Sequence, residues 1–247
     1  MKLIIFVPGY LTSQTCSSAG DTYLDIYKYA MKNGYDFVYI PIPNNNYGDV
    51  GNTTLDDCLG YVLQQYNHIC NEKTSGQITL VGHSMGGLIV SKLVTKEYLS
   101  KLQRIPDVVR IINPAIGPTT SPIITTLGTL LSFVPQSLLG VPIVPLPVAE
   151  PGVLYPGSMQ SSPGVKLLLG SSLLRTTGKL LVNNTKWTLE PDSGIRNRMK
   201  IIQCKDDKMV SFENTRDHAS EYHVKMVVIP NGYHALFDES LLTATFE

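Results

Sequence analysis

The sequence predicts an α/β protein built on a doubly wound, mainly parallel sheet of about six strands. Three observations predict this fold class. Short apolar segments alternate with helix-length segments in the first 114 residues and again from residue 199 onwards. The apolar segments are nearly continuous, which is typical of strands that are buried on both faces. The chain has 247 residues, 43% of them hydrophobic, so that a single domain over residues 1–247 can bury an ordinary core.

Each apolar segment is assigned to a strand, and the segments between them to helices. The expected strands are Leu3–Val7, Asp36–Ile42, Gln77–Val81, Val108–Asn113, Met199–Cys204 and Val224–Ile229. The expected helices are Asp21–Asn33, Leu55–Lys73, a segment that starts after Ser84, Phe212–Glu221 and a segment after His234. Right-handed crossovers leave few topologies for such a chain, and we expect the strand order 2-1-3-4-5-6.

The alternation stops between Ala115 and Lys186. The stretch Ala115–Ala149 contains no Asp, Glu, Lys or Arg, which also raises the possibility of a membrane-spanning helix. Recurrent prolines argue against a span because they break the backbone hydrogen bonds that lipid requires: Pro118, Pro122, Pro135, Pro142, Pro145 and Pro147. We expect residues 115–190 to form an inserted apolar lid or cap, and a peripheral membrane contact through this lid is a further expectation.

Charge and residue usage exclude several functional classes. Lysine plus arginine and aspartate plus glutamate balance at 20 each, and no basic run is present, so we expect no nucleic-acid partner. The histidines and the four cysteines lack metal-ligand spacing, and no phosphate-cradling glycine motif occurs; we therefore expect no metal and no cofactor. The apolar run at the N-terminus is too short for a secretion signal, which predicts a cytoplasmic location with reduced thiols.

The motif that carries chemistry is Gly82-His83-Ser84-Met85-Gly86-Gly87, which matches Gly-x-Ser-x-Gly. It lies directly after a predicted strand and directly before a predicted helix. A sharp strand-to-helix reversal exposes the serine hydroxyl and needs residues without side chains two positions away on both sides. The alternative is a glycine-rich turn with a capping serine. The strand–turn–helix context favours a nucleophilic Ser84.

On this motif the chain resembles the α/β-hydrolase family, in particular its esterase and lipase branches, over the first 114 residues and the last 50. The resemblance implies that the first strand corresponds to the third strand of the family. It also implies the chain order nucleophile, acid, histidine. His234 lies in the loop after the last predicted strand and is the expected base. The loop after the fifth strand offers Asp207, with Asp206 as the alternative acid.

The remaining histidines are assigned other positions. His83 adjoins the nucleophile and is expected to pack or to hydrogen-bond locally, whereas His218 and His223 are expected to be solvated and His68 lies on the long helix. The resemblance places the oxyanion hole at the backbone N–H groups of Met85 and Tyr10, with Leu11 as the alternative to Tyr10.

These residues predict a serine hydrolase that cleaves carboxylic esters through an acyl-enzyme. The expected substrate is a small-molecule or lipid ester, and the apolar lid favours a fatty-acyl group. A thioesterase or amide hydrolase with the same residues is the alternative. A non-enzymatic binding protein on a hydrolase scaffold is the alternative from another class.

Overall fold

A computed structural model describes residues 2–9, 16–17, 23–43, 55–73, 76–117, 187–207, 210–235 and 237–247. Within these residues the strands form one parallel sheet in the order 2-1-3-4-5-6. The predicted fold class and strand order are therefore confirmed. Most of the expected lid, residues 118–186, lies outside the described residues.

The described strands and helices follow the predicted alternation. The strands are β1 (Lys2–Val7), β2 (Tyr35–Tyr39), β3 (Gln77–His83), β4 (Val108–Ile112), β5 (Met199–Cys204) and β6 (Lys225–Ile229). The helices are α1 (Leu24–Lys32), α2 (Leu55–Glu72), α3 (Met85–Leu93), α4 (Lys96–Leu99), α5 (Ser193–Arg196), α6 (Phe212–Glu221) and α7 (Glu239–Phe246). The one-turn helices α4 and α5 were not expected, because four residues are too few to show a helical period.

The ends of two strands differ from the sequence prediction by two residues or more. The second strand stops at Tyr39 rather than Ile42; the N–H of Ile40 still donates to the carbonyl of Phe6 in β1, and Pro41 follows with its φ fixed by the ring. The third strand continues to His83, two residues beyond the predicted end at Val81. The extension runs between β1 and β4, since Gly82 pairs with Val7 on one side and with Ile111 on the other.

Alternation along each buried strand divides the core into two layers. In β1, Leu3, Ile5 and Val7 face the layer that contains α2 and α3. Ile4 and Phe6 face the opposite layer, which contains α1 and α7. All nine residues of the central helix α3 are buried, which means that other parts of the protein cover this helix on every side. Helices on both faces leave the carboxyl ends of the strands as the open edge for a site.

No helix within the described residues is both long enough and apolar enough to span a membrane.

Candidate active site

Ser84 sits in a strained turn between β3 and α3. Its backbone φ of 55° and ψ of −119° lie outside the regions that a serine ordinarily adopts, at a cost of about 1–3 kcal/mol. The surrounding backbone maintains the turn. The N–H of Ser84 donates to the carbonyl of Ile112 at 3.0 Å, and its carbonyl accepts from the N–H of Leu88 at 3.1 Å and of Ala115 at 3.0 Å. The serine is thereby tied to its own helix and to the end of β4.

The glycines on either side of Ser84 are required by close backbone contacts. A Cβ atom on Gly82 would overlap the carbonyl of Gly86, and a Cβ atom on Gly86 would overlap the carbonyls of Val7 and Pro8. Backbone atoms of a central sheet cannot move aside as a flexible side chain can. The Gly-x-Ser-x-Gly spacing thus reflects the packing of α3 against the ends of β1 and β3.

His234 reaches Ser84 from the loop after β6, 150 residues further along the chain. Its Nε2 lies 2.9 Å from the hydroxyl oxygen of Ser84. The ring is buried, with its centroid 4.9 Å from that of His83. The structure therefore brings together the serine and the histidine that the sequence singled out.

Asp207 completes the contact from the loop after β5. Its Oδ2 lies 2.7 Å from Nδ1 of His234, and its Oδ1 accepts from the N–H of Val210 at 3.2 Å. The side chains of His234 and Asp207 are 5% and 0% exposed. The neighbouring Asp206 is exposed instead. Of the two carboxylates left open by the sequence, the structure places Asp207 against the histidine.

The contacts of His234 with Asp207 and Ser84 specify which ring nitrogen carries the proton in the neutral imidazole. An ionised carboxylate only accepts hydrogen bonds, so that Nδ1 of His234 carries the proton and donates to Asp207. Nε2 is then an acceptor and receives the hydroxyl proton of Ser84. This arrangement can draw the proton from the serine as its oxygen attacks an electrophile.

One expected oxyanion donor lies at the start of α3, and the other lies outside the described residues. Met85 is the first residue of α3, and the first N–H groups of a helix have no partner within it. They can therefore bind a developing negative charge beside Ser84. Tyr10 and Leu11 are outside the described residues. Gly9, just before them, comes close to the nucleophile: a Cβ atom there would lie 3.0 Å from the Cβ of Ser84.

Three buried side chains near the site had no catalytic assignment from the sequence. Tyr23 and His83 are hydrogen-bonded to one another, and Asn113 bonds to the carbonyl of His234. His83 packs against other rings, as expected, but its hydrogen bonds are not local, since its partners Tyr23 and His234 lie 60 and 151 residues away in sequence. For Asn113 the available signal was a polar residue at the carboxyl end of an apolar strand.

The expectation that His218 is solvated is wrong. His218 is 7% exposed, because α6 presents this position to the sheet. The ring also packs edge-on against Tyr222, with 4.9 Å between the ring centroids. His223 is exposed, as expected, and His68 is exposed on α2. Desolvation lowers the pKa of His218 below its ordinary value.

The six-stranded order, the strained serine turn and the imidazole that joins it to a carboxylate define an α/β-hydrolase. Within that superfamily the chain belongs to the family described as serine aminopeptidase, S33, whose profile matches residues 50–240.

Solved structures of α/β-hydrolases share this fold. A soluble variant of monoglyceride lipase from Saccharomyces cerevisiae aligns with a TM-score of 0.64 at 14% identity, over 99% of this chain and 83% of that chain. Est1E from Butyrivibrio proteoclasticus, solved with ferulic acid, aligns with a TM-score of 0.59 at 16% identity, over 99% and 85%. An α/β hydrolase fold protein from Burkholderia ambifaria aligns with a TM-score of 0.58 at 15% identity, over 98% and 89%. No curated protein sequence matches the chain.

Proposed function

We propose that this protein is a carboxylic ester hydrolase in which Ser84 is the nucleophile, His234 the general base and Asp207 the residue that orients the base. The observation that carries the proposal is the continuous contact from Asp207 through His234 to Ser84, at 2.7 and 2.9 Å. A hydroxyl bonded to a buried, carboxylate-oriented imidazole is an activated nucleophile.

The reaction proceeds in two acyl-transfer steps. The oxygen of Ser84 attacks the ester carbonyl while Nε2 of His234 takes the hydroxyl proton, and the backbone N–H groups of Met85 and Tyr10 bind the resulting oxyanion. The imidazolium then protonates the leaving alcohol, and the acyl group remains on Ser84. Water, deprotonated by His234, attacks the acyl-enzyme, and the imidazolium returns this proton to the oxygen of Ser84 as the bond to the acyl group breaks and the carboxylic acid is released.

The proposed substrate carries an aliphatic acyl chain rather than an acetyl group. This part rests on sequence, since Ala115–Ala149 has no charged residue and contiguous exposed apolar surface is rare on soluble proteins. An apolar cover above Ser84 would bury the acyl chain, and each buried methylene contributes about 0.8 kcal/mol. A lipid or fatty-acyl ester fits such a cover.

Amide hydrolysis is the second candidate, because the family that matches residues 50–240 is described as a serine aminopeptidase. The same serine, histidine and aspartate can attack an amide, and the three residues do not by themselves select the leaving group. Initial rates on p-nitrophenyl esters and on amino-acid p-nitroanilides separate the two candidates. Faster turnover of an anilide than of any ester would replace the ester proposal.

The test of the nucleophile compares two serines at the same helix. Ser84→Ala should lower kcat on p-nitrophenyl butyrate by about 10⁶-fold and abolish labelling by a fluorophosphonate probe. Ser91 provides the matched control: its buried hydroxyl donates to the carbonyl of Gly87 at 2.8 Å within α3. Ser91→Ala should retain both activity and labelling. Labelling of Ser84→Ala at the wild-type rate would refute the assignment.

The acyl-chain proposal has its own experiment. On going from a two-carbon to an eight-carbon acyl ester, kcat/KM should rise at least about tenfold, as expected from burial of the added methylenes. Replacing residues Thr120–Leu146 with a short Gly/Ser linker should remove this preference and leave activity on short esters. If acetate esters are the best substrates of the intact protein, the acyl-pocket proposal is wrong.

A further inference from the structure

The backbone carbonyl of His234 is held by two buried side chains from the centre of the sheet. Nε2 of His83 lies 2.7 Å from this oxygen and Nδ2 of Asn113 lies 3.0 Å from it. The two donors come from the ends of β3 and β4, whereas His234 itself is in the loop after β6. Both residues are nearly inaccessible, at 2% exposed for His83 and 0% for Asn113. The loop that carries the base is thus fastened to the same strands that carry the nucleophile.

The contact to His234 also sets the protonation pattern of His83. A carbonyl only accepts, so that Nε2 of His83 must carry a proton. In the neutral ring Nδ1 is then an acceptor, and it lies 2.8 Å from the hydroxyl of Tyr23, which therefore donates to it. The oxygen of that hydroxyl accepts from the N–H of Gly9 at 2.7 Å. Every donor in this chain of contacts faces an acceptor.

These hydrogen bonds thus connect two loops that meet at Ser84, one that begins at Gly9 and one that carries His234. Gly9 begins the loop that leads to the expected oxyanion donor Tyr10, and a Cβ atom on Gly9 would meet Ser84. His234 is the base. The two loops are separated by more than two hundred residues in sequence, and Tyr23 and His83 connect them within the buried layer beneath Ser84.

Asn113 adds a second fixed point. Its backbone adopts a φ of 42°, which is uncommon for a residue with a side chain. Its Oδ1 accepts from the N–H of Cys204 at 2.8 Å, so that Nδ2 is directed at the carbonyl of His234. In this conformation the single side-chain amide of Asn113 links β5 to the loop that carries His234.

We propose that Tyr23, His83 and Asn113 are positioning residues, which hold Gly9, the residue before the expected oxyanion donor Tyr10, and the backbone of the general base at a fixed spacing for acyl transfer on Ser84. This inference rests on the proposed function and assigns a role to residues that do not touch the substrate. The relay, meaning the hydrogen bonds from Gly9 through Tyr23 and His83 to His234, has this pattern of donors and acceptors only when His83 is neutral. Burial lowers the pKa of His83 well below its ordinary value, and the neighbouring His234 lowers it further.

The first test is spectroscopic and does not depend on turnover. Long-range ¹H–¹⁵N spectra of ¹⁵N-histidine-labelled protein should show His83 as the neutral Nε2–H tautomer from about pH 5.5 to about pH 8.5. His68, which is exposed beside Glu72, gives a solvent-exposed histidine for comparison in the same spectra. An Nδ1–H tautomer, or a titration of His83 in this range, would overturn the relay.

The second test compares two buried tyrosines. Tyr23→Phe removes the hydroxyl while the ring can keep its contacts with Phe6 and Phe237, and it should lower kcat about tenfold with little change in KM. Tyr66→Phe is the matched control, because the hydroxyl of Tyr66 donates to the carbonyl of Arg104 at 2.9 Å at the opposite edge of the sheet. It should lose a similar amount of stability and keep the wild-type kcat.

A conservative replacement separates positioning from packing. In His83→Gln the side-chain amide can still donate to the carbonyl of His234, whereas His83→Leu keeps bulk and loses the donor. We expect His83→Gln to recover at least about fivefold in kcat over His83→Leu. Asn113→Asp places an acceptor against the same carbonyl. At a comparable loss of melting temperature, it should lower kcat more than Tyr66→Phe does.

The possible results distinguish the two proposals. Equal kcat in Tyr23→Phe and the wild type, or equal losses in His83→Gln and His83→Leu, would overturn the positioning role in an enzyme that is otherwise active. A wild type without ester turnover or fluorophosphonate labelling, but with His83 in the Nε2–H tautomer, would overturn the esterase proposal while supporting the relay geometry.

Discussion

Nδ1 of His234 and Oδ2 of Asp207 lie 2.7 Å apart in a position that solvent does not reach. The contact joins the loops after two neighbouring strands, β5 and β6. Asp206, one residue earlier, is exposed. Because a carboxylate affects an imidazole strongly only in a shielded position with direct contact, the two aspartates should differ sharply in their effect.

Asp207→Asn should lower kcat by about 10³–10⁴-fold, because the amide can no longer favour the correct tautomer or stabilise the imidazolium. Asp206→Asn is the matched control and should change kcat less than about twofold, as expected for an exposed charge. Steady-state rates on p-nitrophenyl butyrate check both. The opposite ranking would transfer the role to Asp206.

Gly86→Ala should destabilise the protein by at least about 3 kcal/mol, because the added methyl group meets main-chain carbonyls that cannot retreat. Gly60→Ala offers the comparison: Gly60 lies in α2, and a Cβ atom there would meet no other atom within 4 Å. That change should stabilise by about 0.5–1 kcal/mol, as for a glycine in a helix. Urea unfolding measures both, and similar values for the two variants would contradict the packing described for Gly86.

Acid should destabilise the native state through the buried histidines. The pKa values of His83 and His218 are lowered by burial, so that below about pH 6.5 the unfolded chain binds protons that the native state does not. The contribution of these two histidines to the free energy of unfolding is therefore fully present above this pH. It decreases as the pH falls, by up to about 1.4 kcal/mol per pH unit for each histidine.

His218→Leu should make this pH dependence shallower, because Nε2 of His218 is buried and has no hydrogen-bond partner among the residues that the structure describes. Urea midpoints of the wild type and of His218→Leu at pH 7.5 and pH 5 supply the comparison, on the scale of about 1.4 kcal/mol per pH unit. Equal slopes in the two proteins would contradict the lowered pKa of His218.

The four cysteines should react with Ellman's reagent only after unfolding. All four are buried, and burial is the main cause that raises the pKa of both Cys58 and Cys204 to about 12. Since the thiolate is the reactive form, modification of the native protein near pH 8 should be slow. Guanidinium chloride should expose all four. Rapid reaction of one thiol in the native state would contradict its buried position.

The central strands were predictable from sequence because they are buried on both faces and contain mostly apolar residues. Leu3–Val7 is an unbroken apolar run, whereas Met199–Cys204, predicted with both ends correct, is interrupted by Lys200 and Gln203. Ser84 and His234 were predictable because the family resemblance specifies a motif and a chain order.

The choice between Asp206 and Asp207 was not predictable, since it depends on the direction of a turn that neighbouring residues share. The burial of His218 was missed for a similar reason: α6 has few apolar residues, so the face that packs on the sheet carries little signal. The relay through Tyr23 and His83 joins positions that no local pattern connects. Sequence spacing reports which residues share an element, whereas these contacts depend on how the elements pack.

The hydrogen bonds that hold the turn at Ser84 make the position of this proposed nucleophile depend on distant parts of the fold. The N–H and carbonyl of Ser84 are bonded to Ile112 and Ala115 at the end of β4, and its base arrives from the loop after the last strand. A molecule in which β4 has detached, or in which the C-terminal strands have not docked, has no activated serine. If Ser84 is the nucleophile as proposed, a fluorophosphonate probe should label only fully assembled molecules, and quantitative labelling during refolding would then measure native protein, whatever substrate it acts on.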